Sequence, residues 1–406
     1  MMKERYKVAI ISPSPFYYHA KLYQQLAAHP RIELIVYFCT REALDGTYIR
    51  RAYGSSKNWG LEHMLEGYNY KFLRNYAPRS TYTKPPFGLV NFGVWNEIKH
   101  QKPDAVILQA WTDLTWWLAM FAALRFKIPF FLMTDANALN ETEKPQWERL
   151  IRRVLLGKIF FPLCSGFLCS GKLNKELYLI HNAAEARLFP FRYSWGYDSF
   201  LQVANQLKPQ RNQIREQLGI PKNFFVILFS GRLHEMKRPF DLLEAYSRLD
   251  FHNKALVFVG DGELRRSLQK NVITHNFEYI FFFGFQRRDE IAKFYAAADL
   301  LVLPSSAETW GIVVNEAMCF SLPVIVSGKV GAAADLIKHG ENGFVFPCGD
   351  VEALVYCIRH IMELPEDKRL AMGAKSLSLI QQWCAFKPDE ALVEILDTVL
   401  RTEMCT

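Results

Sequence analysis

A chain of 406 residues is long enough for two domains of ordinary size, each burying its own core. Half of its residues are hydrophobic and 14% are aromatic, which excludes an intrinsically disordered protein. The net charge of +8 is unevenly placed: residues 1–200 hold 26 Lys+Arg against 16 Asp+Glu, and the remainder 23 against 25.

A basic first half suits something anionic. No nucleic-acid motif is present, so no nucleic acid is expected as a partner, and a lipid phosphate or an acidic membrane surface is the better match. A basic surface without any partner explains the charge equally well. The eight cysteines form no C-x-x-C pair, which reads as reduced thiols in a cytoplasmic protein. Peripheral contact with the inner face of a membrane is compatible with that placement.

The opening MMKERYKVAIISPSP reads as a first strand over 8–12 and not as a signal peptide. A helix over 20–28 and a strand over 32–38 follow. This β-loop-α-β opening predicts a Rossmann-like sheet with its ligand crevice beyond the strand C-termini. His19, at the first loop, is either an acceptor-side residue or an ordinary helix-start histidine. Residues 50–85, with Trp59-Gly60 and Gly67-Tyr68, alternate strand and loop without a clear period. Strands are expected over 104–108 and 129–133, flanking an apolar helix over 114–124. The run 114–133 is interrupted by Arg125, Lys127 and Pro129 and does not suit a membrane helix. Asp113 and Asp135 follow these strands and are crevice candidates. The stretch RLIRRVLLGKIFF, 149–161, is amphipathic at helical spacing, which fits anionic lipid or, more commonly, a surface helix with one buried face.

Polar residues over 205–224 mark a boundary, and a second alternation of strands and helices begins at 225. Within it, Ser230-Gly231-Arg232 follows a strand and Lys237-Arg238-Pro239 precedes a helix. Gly231 permits a tight turn, and Arg232 and Lys237 are placed to close over a diphosphate, one as a fork of donors and the other as a point charge. Val259-Gly260-Asp261-Gly262-Glu263 lacks the third glycine of a dinucleotide fingerprint, since Arg265 stands there. The stretch 299–327, DLLVLPSSAETWGIVVNEAMCFSLPVIVS, reads as strand, loop, helix, strand. Ser305, Ser306 and Thr309 are natural caps, so a helix is expected to begin between Thr309 and Gly311. Its unpaired N–H groups suit a phosphate, and Gly311 allows close approach of a ligand. Glu308 lies just before that helix and Glu316 well inside it. Taken alone, the pair also fits a capping acid and a solvated helical glutamate.

The words around Glu308-x7-Glu316, together with GR…K and VGDGxxR, resemble the donor site of the retaining glycosyltransferases of family 4, also called glycosyl transferases group 1. The resemblance is strong over 225–350 and extends to 1–200 only in layout. It implies an α/β GT-B fold: two Rossmann-like domains whose parallel sheets face across an interdomain cleft. An acceptor domain is expected over 1–205, a donor domain over 206–375, and a helical tail over 376–406 crossing back to the first domain, with Trp383 as its anchor. Glu308 would touch the donor sugar and Glu316 the ribose, while Arg232 and Lys237 hold the diphosphate. Gly231, Gly262, Thr309, Trp310, Gly311 and Ile312 would line the donor, and the loop at Phe285 would read the base. Asp135 falls near a histidine of the family and would act as acceptor-side base or sugar ligand, or only cap a loop; His19 and Asp113 would be further acceptor-side residues.

The implied activity is transfer of a hexosyl or related sugar from a nucleotide diphosphate to a glycan, a lipid-linked saccharide or a small molecule, with retention. No D-x-D occurs, and the two cations replace a metal, so neither a metal nor another cofactor is expected. A non-catalytic nucleotide-sugar-binding subunit and a GT-B epimerase or phosphorylase are the alternatives.

Overall fold

The computed structural model describes residues 3–44, 63–77, 86–142, 144–192 and 197–404. Trp59-Gly60 and most of the segment expected to alternate strand and loop lie outside them. The chain divides into two compact units, the first made of its N-terminal half and the chain from Phe386 onward, the second running from Tyr197 to Ala385.

The first unit holds seven strands: β1 (Tyr6–Ser12), β2 (Ile32–Phe38), β3 (Asn69–Phe72), β4 (Ala105–Leu108), β5 (Phe130–Leu132), β6 (Gly166–Cys169) and β7 (Leu188–Pro190). They pair in parallel in the order β3-β2-β1-β4-β5-β6-β7. The central strands are buried along nearly their whole length, as a parallel sheet covered on both faces requires. Val106, Leu108, Phe130 and Leu132 pack with Trp116 and Met120 of the helix Leu114–Arg125. The last helix, Pro388–Met404, lies on this unit: Asp397 accepts from Tyr6 Oη at 2.5 Å and pairs with Arg31 at 2.9 Å.

The second unit holds β8 (Phe225–Ser230), β9 (Lys254–Val259), β10 (Ile280–Gly284), β11 (Leu300–Leu303), β12 (Val324–Ser327) and β13 (Gly343–Phe346). All pair in parallel, in the order β10-β9-β8-β11-β12-β13. Ile227, Phe229, Val302 and Ile325 meet Leu243 of the helix Pro239–Ser247 and Ile358 of the helix Val351–Glu363. In both sheets the strand order reverses beside the first strand, between β1 and β4 and between β8 and β11. That reversal opens a crevice at the strand C-termini, where ligands of such sheets bind.

The boundaries differ from those expected at 205/206 and 375/376. The helix Tyr197–Leu207 belongs wholly to the second unit. The polar stretch that reads as a linker is packed there as well. Arg215 is buried, with its guanidinium on Asp299 at 2.7 Å and on the carbonyls of Ala297 and Phe224 at 2.9 Å. At the other end, Trp383 lies in the last turn of the helix Glu366–Cys384 of the second unit, before the tail begins at Phe386, and packs on Trp310, with ring centroids 5.0 Å apart. A polar composition does not distinguish a linker from a helix held by buried charge-assisted hydrogen bonds.

Among the described residues, no helix is long and apolar enough to cross a membrane.

Candidate active site

The crevice beyond β8 and β11 collects the charged residues that the motifs singled out. After β8 the backbone turns at Gly231, in the left-handed half of conformational space (φ 152°), and lies flat on the loop after β9. Gly231 N–H donates to the Val259 carbonyl at 2.9 Å, and Leu233 N–H to that of Asp261 at 2.9 Å. A Cβ on Gly260 would come within 1.8 Å of the Gly231 carbonyl oxygen, and one on Gly262 within 2.2 Å of that of Leu233. The glycines of VGDG therefore serve contact between two loops, which explains why the dinucleotide spacing fails. Gly262 lies against the loop that carries Arg232, at the Leu233 carbonyl.

Arg232 lies half-buried in this turn, with Glu263 Oε2 3.5 Å from its Nη2. His234 caps the short turn Glu235–Lys237 by accepting from Met236 N–H at 3.0 Å. The Met236 carbonyl in turn accepts from Ser306 N–H at 2.7 Å, which ties the turn to the loop after β11. Across that seam Lys237 forms an ion pair with Glu308. Burial pushes the Lys237 ammonium down, to about 8.

The loop carrying Glu308 is stiffened from the other side. Glu308 N–H donates to the Lys329 carbonyl, and its own carbonyl accepts from Gly331 N–H at 3.0 Å. Trp310 is buried and donates from Nε1 to Asn315 Oδ1 at 2.9 Å. The helix begins at Ile312 with Gly311 as its N-cap (φ 97°), so neither Ser305, Ser306 nor Thr309 caps it. A Cβ on Gly311 would stand 3.0 Å from Val330 and 3.3 Å from Glu308, and left-handed backbone disfavours any side chain here. Thr309 and Ile312 flank this cap.

Glu316 lies one turn inside the helix and is buried. Tyr295 Oη donates to its Oε2 at 2.7 Å and also lies 3.2 Å from Ser230 Oγ, at the end of β8. Burial raises the Glu316 carboxyl, while Arg288 and the Tyr295 hydrogen bond hold it down. Tyr295 and Arg288 carry no motif of their own in the sequence; only the packing of the helix Arg288–Ala297 beside the site brings them in. Phe285 follows β10 and is buried, and the Gly284 carbonyl before it accepts from Gly260 N–H at 2.8 Å.

The structure thus brings Gly231, Arg232, Lys237, Glu308, Gly311 and Glu316 to the end of one sheet. The candidates of the first unit are set differently. His19 is buried and its imidazole is driven toward the neutral form by burial, with the Asp135 charge opposing this. These two therefore share one neighbourhood. Asp113 is turned to the backbone: Oδ1 accepts from Leu89 N–H at 3.2 Å and Oδ2 from Thr112 Oγ1 at 3.1 Å. Its carboxyl, raised by burial, holds the loop before the helix Gly93–Gln101.

A family model described as glycosyl transferases group 1 matches residues 210–377, the part that carries this site. The chain is 31% identical to the UDP-Gal:alpha-D-GlcNAc-diphosphoundecaprenol alpha-1,3-galactosyltransferase of Escherichia coli over 69% of its own length and 70% of the relative's. The chain belongs to the glycosyl transferases group 1. Its match to an uncharacterized glycosyltransferase of Methanocaldococcus jannaschii, 32% identical, takes in 45% of this chain and 47% of that one. With that relative and the N-acetyl-alpha-D-glucosaminyl L-malate synthase of Bacillus anthracis, the chain spans less than half of the relative's length. Among solved structures, HepE of Anabaena in complex with UDP matches at a TM-score of 0.69 and 18% identity, covering 98% of this chain and 100% of that one. This likeness in fold identifies the two units of this glycosyl transferase as the pair of Rossmann-like domains of the GT-B class.

Proposed function

We propose that this chain transfers a sugar from a nucleotide diphosphate to an acceptor hydroxyl with retention of configuration and without a metal. The observation that carries the reading is the Lys237–Glu308 ion pair, placed with Arg232 beside an open helix start at the point where the strand order reverses. Two cations and a helix N-terminus suit a diphosphate, and a carboxylate at their edge suits the hydroxyls of a sugar. Buried Glu316, steadied by Tyr295, suits the ribose hydroxyls. In support, HepE is solved with UDP, and the Escherichia coli relative is a UDP-galactose enzyme acting on a diphosphoundecaprenol acceptor.

In this reading the bond between the anomeric carbon and the β-phosphate oxygen breaks on the face where the acceptor oxygen bonds. The acceptor proton passes to the departing phosphate. Negative charge grows on the diphosphate as it leaves, and Arg232 and Lys237 stabilise that change more than they stabilise the bound donor. Asp135, near His19 in the first unit, is proposed to orient the acceptor, which is a glycan, a lipid-linked saccharide or a small molecule. The proposed setting is the cytoplasm.

A thermal-shift panel of UDP-, GDP-, ADP- and dTDP-sugars tests the donor, because a ligand that binds only the native state raises the melting temperature. One nucleotide series is expected to stabilise the protein, and the pure enzyme is expected to hydrolyse that donor slowly in the presence of EDTA. Hydrolysis lost in EDTA and restored by Mg²⁺ would refute the metal-free clamp. Binding without any hydrolysis would favour a non-catalytic subunit, and donor epimerisation a different class of enzyme.

A further inference from the structure

The helix Gln146–Val154 is turned inside out. Trp147, Leu150, Ile151 and Val154 recur at i, i+3, i+4 and i+7 and form one apolar stripe, which in a helix of a water-soluble domain faces the core. Here the stripe faces outward: the four side chains are 66%, 64%, 50% and 41% exposed, and no residue of the helix is buried. The helix is held to the protein from its polar side, chiefly through Arg152. Arg152 bonds from Nε to buried Glu141 at 2.9 Å, and Arg153 reaches Asn182 at 3.5 Å.

The chain immediately after this helix fixes the inversion. Leu155–Phe160 winds as a π-helix, which shifts the register so that Leu156 and Phe160 enter the core while Leu155 and Ile159 stay outside. Gly157 seats the turn, since a Cβ there would come within 2.3 Å of the His181 carbonyl oxygen. The apolar surface continues onto the helix Leu114–Arg125. Trp117 packs on Phe160 at 5.2 Å and on Phe121 at 6.3 Å, and Phe121 is itself half exposed.

Charge identifies what covers this surface. Arg149, Arg153 and Lys158 are exposed along the segment, and Arg125 and Lys127 are exposed at the end of the neighbouring helix. Glu148 is the acid of the segment 146–163, and it is paired with Lys144 at 2.7 Å. A second copy docking by two-fold symmetry would set these cations against each other. A bilayer with anionic headgroups would instead take the apolar stripe at the acyl boundary, Trp147 at the interface and the arginine and lysine side chains among the phosphates. We infer that the segment 146–163, with the exposed end of the helix Leu114–Arg125, is a docking surface for an anionic lipid bilayer. The inference does not rest on the proposed sugar transfer.

The test is co-sedimentation of the full chain with vesicles of phosphatidylcholine alone and with about 30% phosphatidylglycerol, at low and high salt. Binding is expected to the anionic vesicles at low salt, to weaken with salt, and to be slight with phosphatidylcholine alone. Leu150→Glu/Val154→Glu should lower the vesicle partition by more than tenfold. Arg149→Gln/Arg153→Gln should lower it about fivefold for each charge removed. Circular dichroism and donor-induced thermal shift should be unchanged in both variants, which separates this inference from the donor reading. No binding to anionic vesicles at low salt, or binding that both variants retain, would overturn it. So would a dimer in sedimentation velocity that Leu150→Glu/Val154→Glu converts to a monomer, since the surface would then belong to a second copy.

Discussion

The two sheets reverse at the same place in their topology, yet the crevices they open are chemically unlike. Beyond β8 and β11 stand Arg232, Lys237 and Glu308, on loops held at left-handed glycines that leave backbone within reach. Beyond β1 and β4 the corresponding loops are joined by neutral groups. Buried Tyr23 donates from Oη to Gln109 Oε1 at 2.9 Å and lies 3.1 Å from Ser12 Oγ. No glycine stands between Ser12 and Tyr18. The groups described here, a tyrosine hydroxyl, a serine hydroxyl and a glutamine amide, with His19 driven toward the neutral form beside Asp135, suit hydroxyl-bearing ligands better than a diphosphate. Topology sets where a ligand binds, and the loop residues set which one.

The sharpest way to break this contrast is to remove a cation from the second crevice. Arg232→Ala and Lys237→Ala are each expected to reduce turnover by 10²–10³, about 3–4 kcal/mol, by analogy with the loss of an oxyanion donor. Folded variants with near wild-type turnover would show that the clamp is misplaced. Lys237→Arg is expected to restore only part of the rate, because a planar fork does not reproduce a point charge.

The pH profile sharpens the same point. Lys237 is charged below about pH 8 in the free protein. With the ammonium essential, kcat/KM should fall above pH 8 by about tenfold per pH unit, since that parameter reports the free enzyme. In Lys237→Arg the alkaline limb should disappear even though the plateau is lower. A wild-type profile flat to pH 9.5 would contradict a role for this charge.

Glu316 is expected to govern donor affinity more than turnover. Glu316→Gln should raise the donor Kd, and Tyr295→Phe should raise it about tenfold, by loosening the carboxylate that Tyr295 holds at 2.7 Å. Isothermal titration with the donor found in the panel checks both. An effect confined to kcat would place Glu316 at the reacting carbon.

The smallest effect belongs to the first crevice. Tyr23→Phe should cost about 1–2 kcal/mol of stability in urea unfolding, through its buried hydrogen bonds. It should leave the donor-induced thermal shift intact. A lost donor shift in this variant would mean that the two crevices are not separate in function.

The sequence by itself determined which residues make up the candidate site of the second unit. GR…K, VGDG and Glu308-x7-Glu316 are contiguous words on loops that follow strands, so position along the chain translates directly into position at a strand end. It also placed two parallel-sheet domains, because buried parallel strands read as short apolar runs. Only the tertiary structure decided what those words touch. Lys237 meets Glu308 because β8 and β11 are neighbours in the sheet, a pairing that no local spacing encodes. Tyr295 reaches Glu316 and Ser230 from a helix with no motif, and Arg215 turns a polar stretch into packed structure through Asp299. The stretch 149–161 reads as amphipathic, but which face looks outward was settled by the π-turn and the close approach of Gly157 to His181. A periodic pattern defines two faces of a helix, and the contacts of its neighbours choose between them.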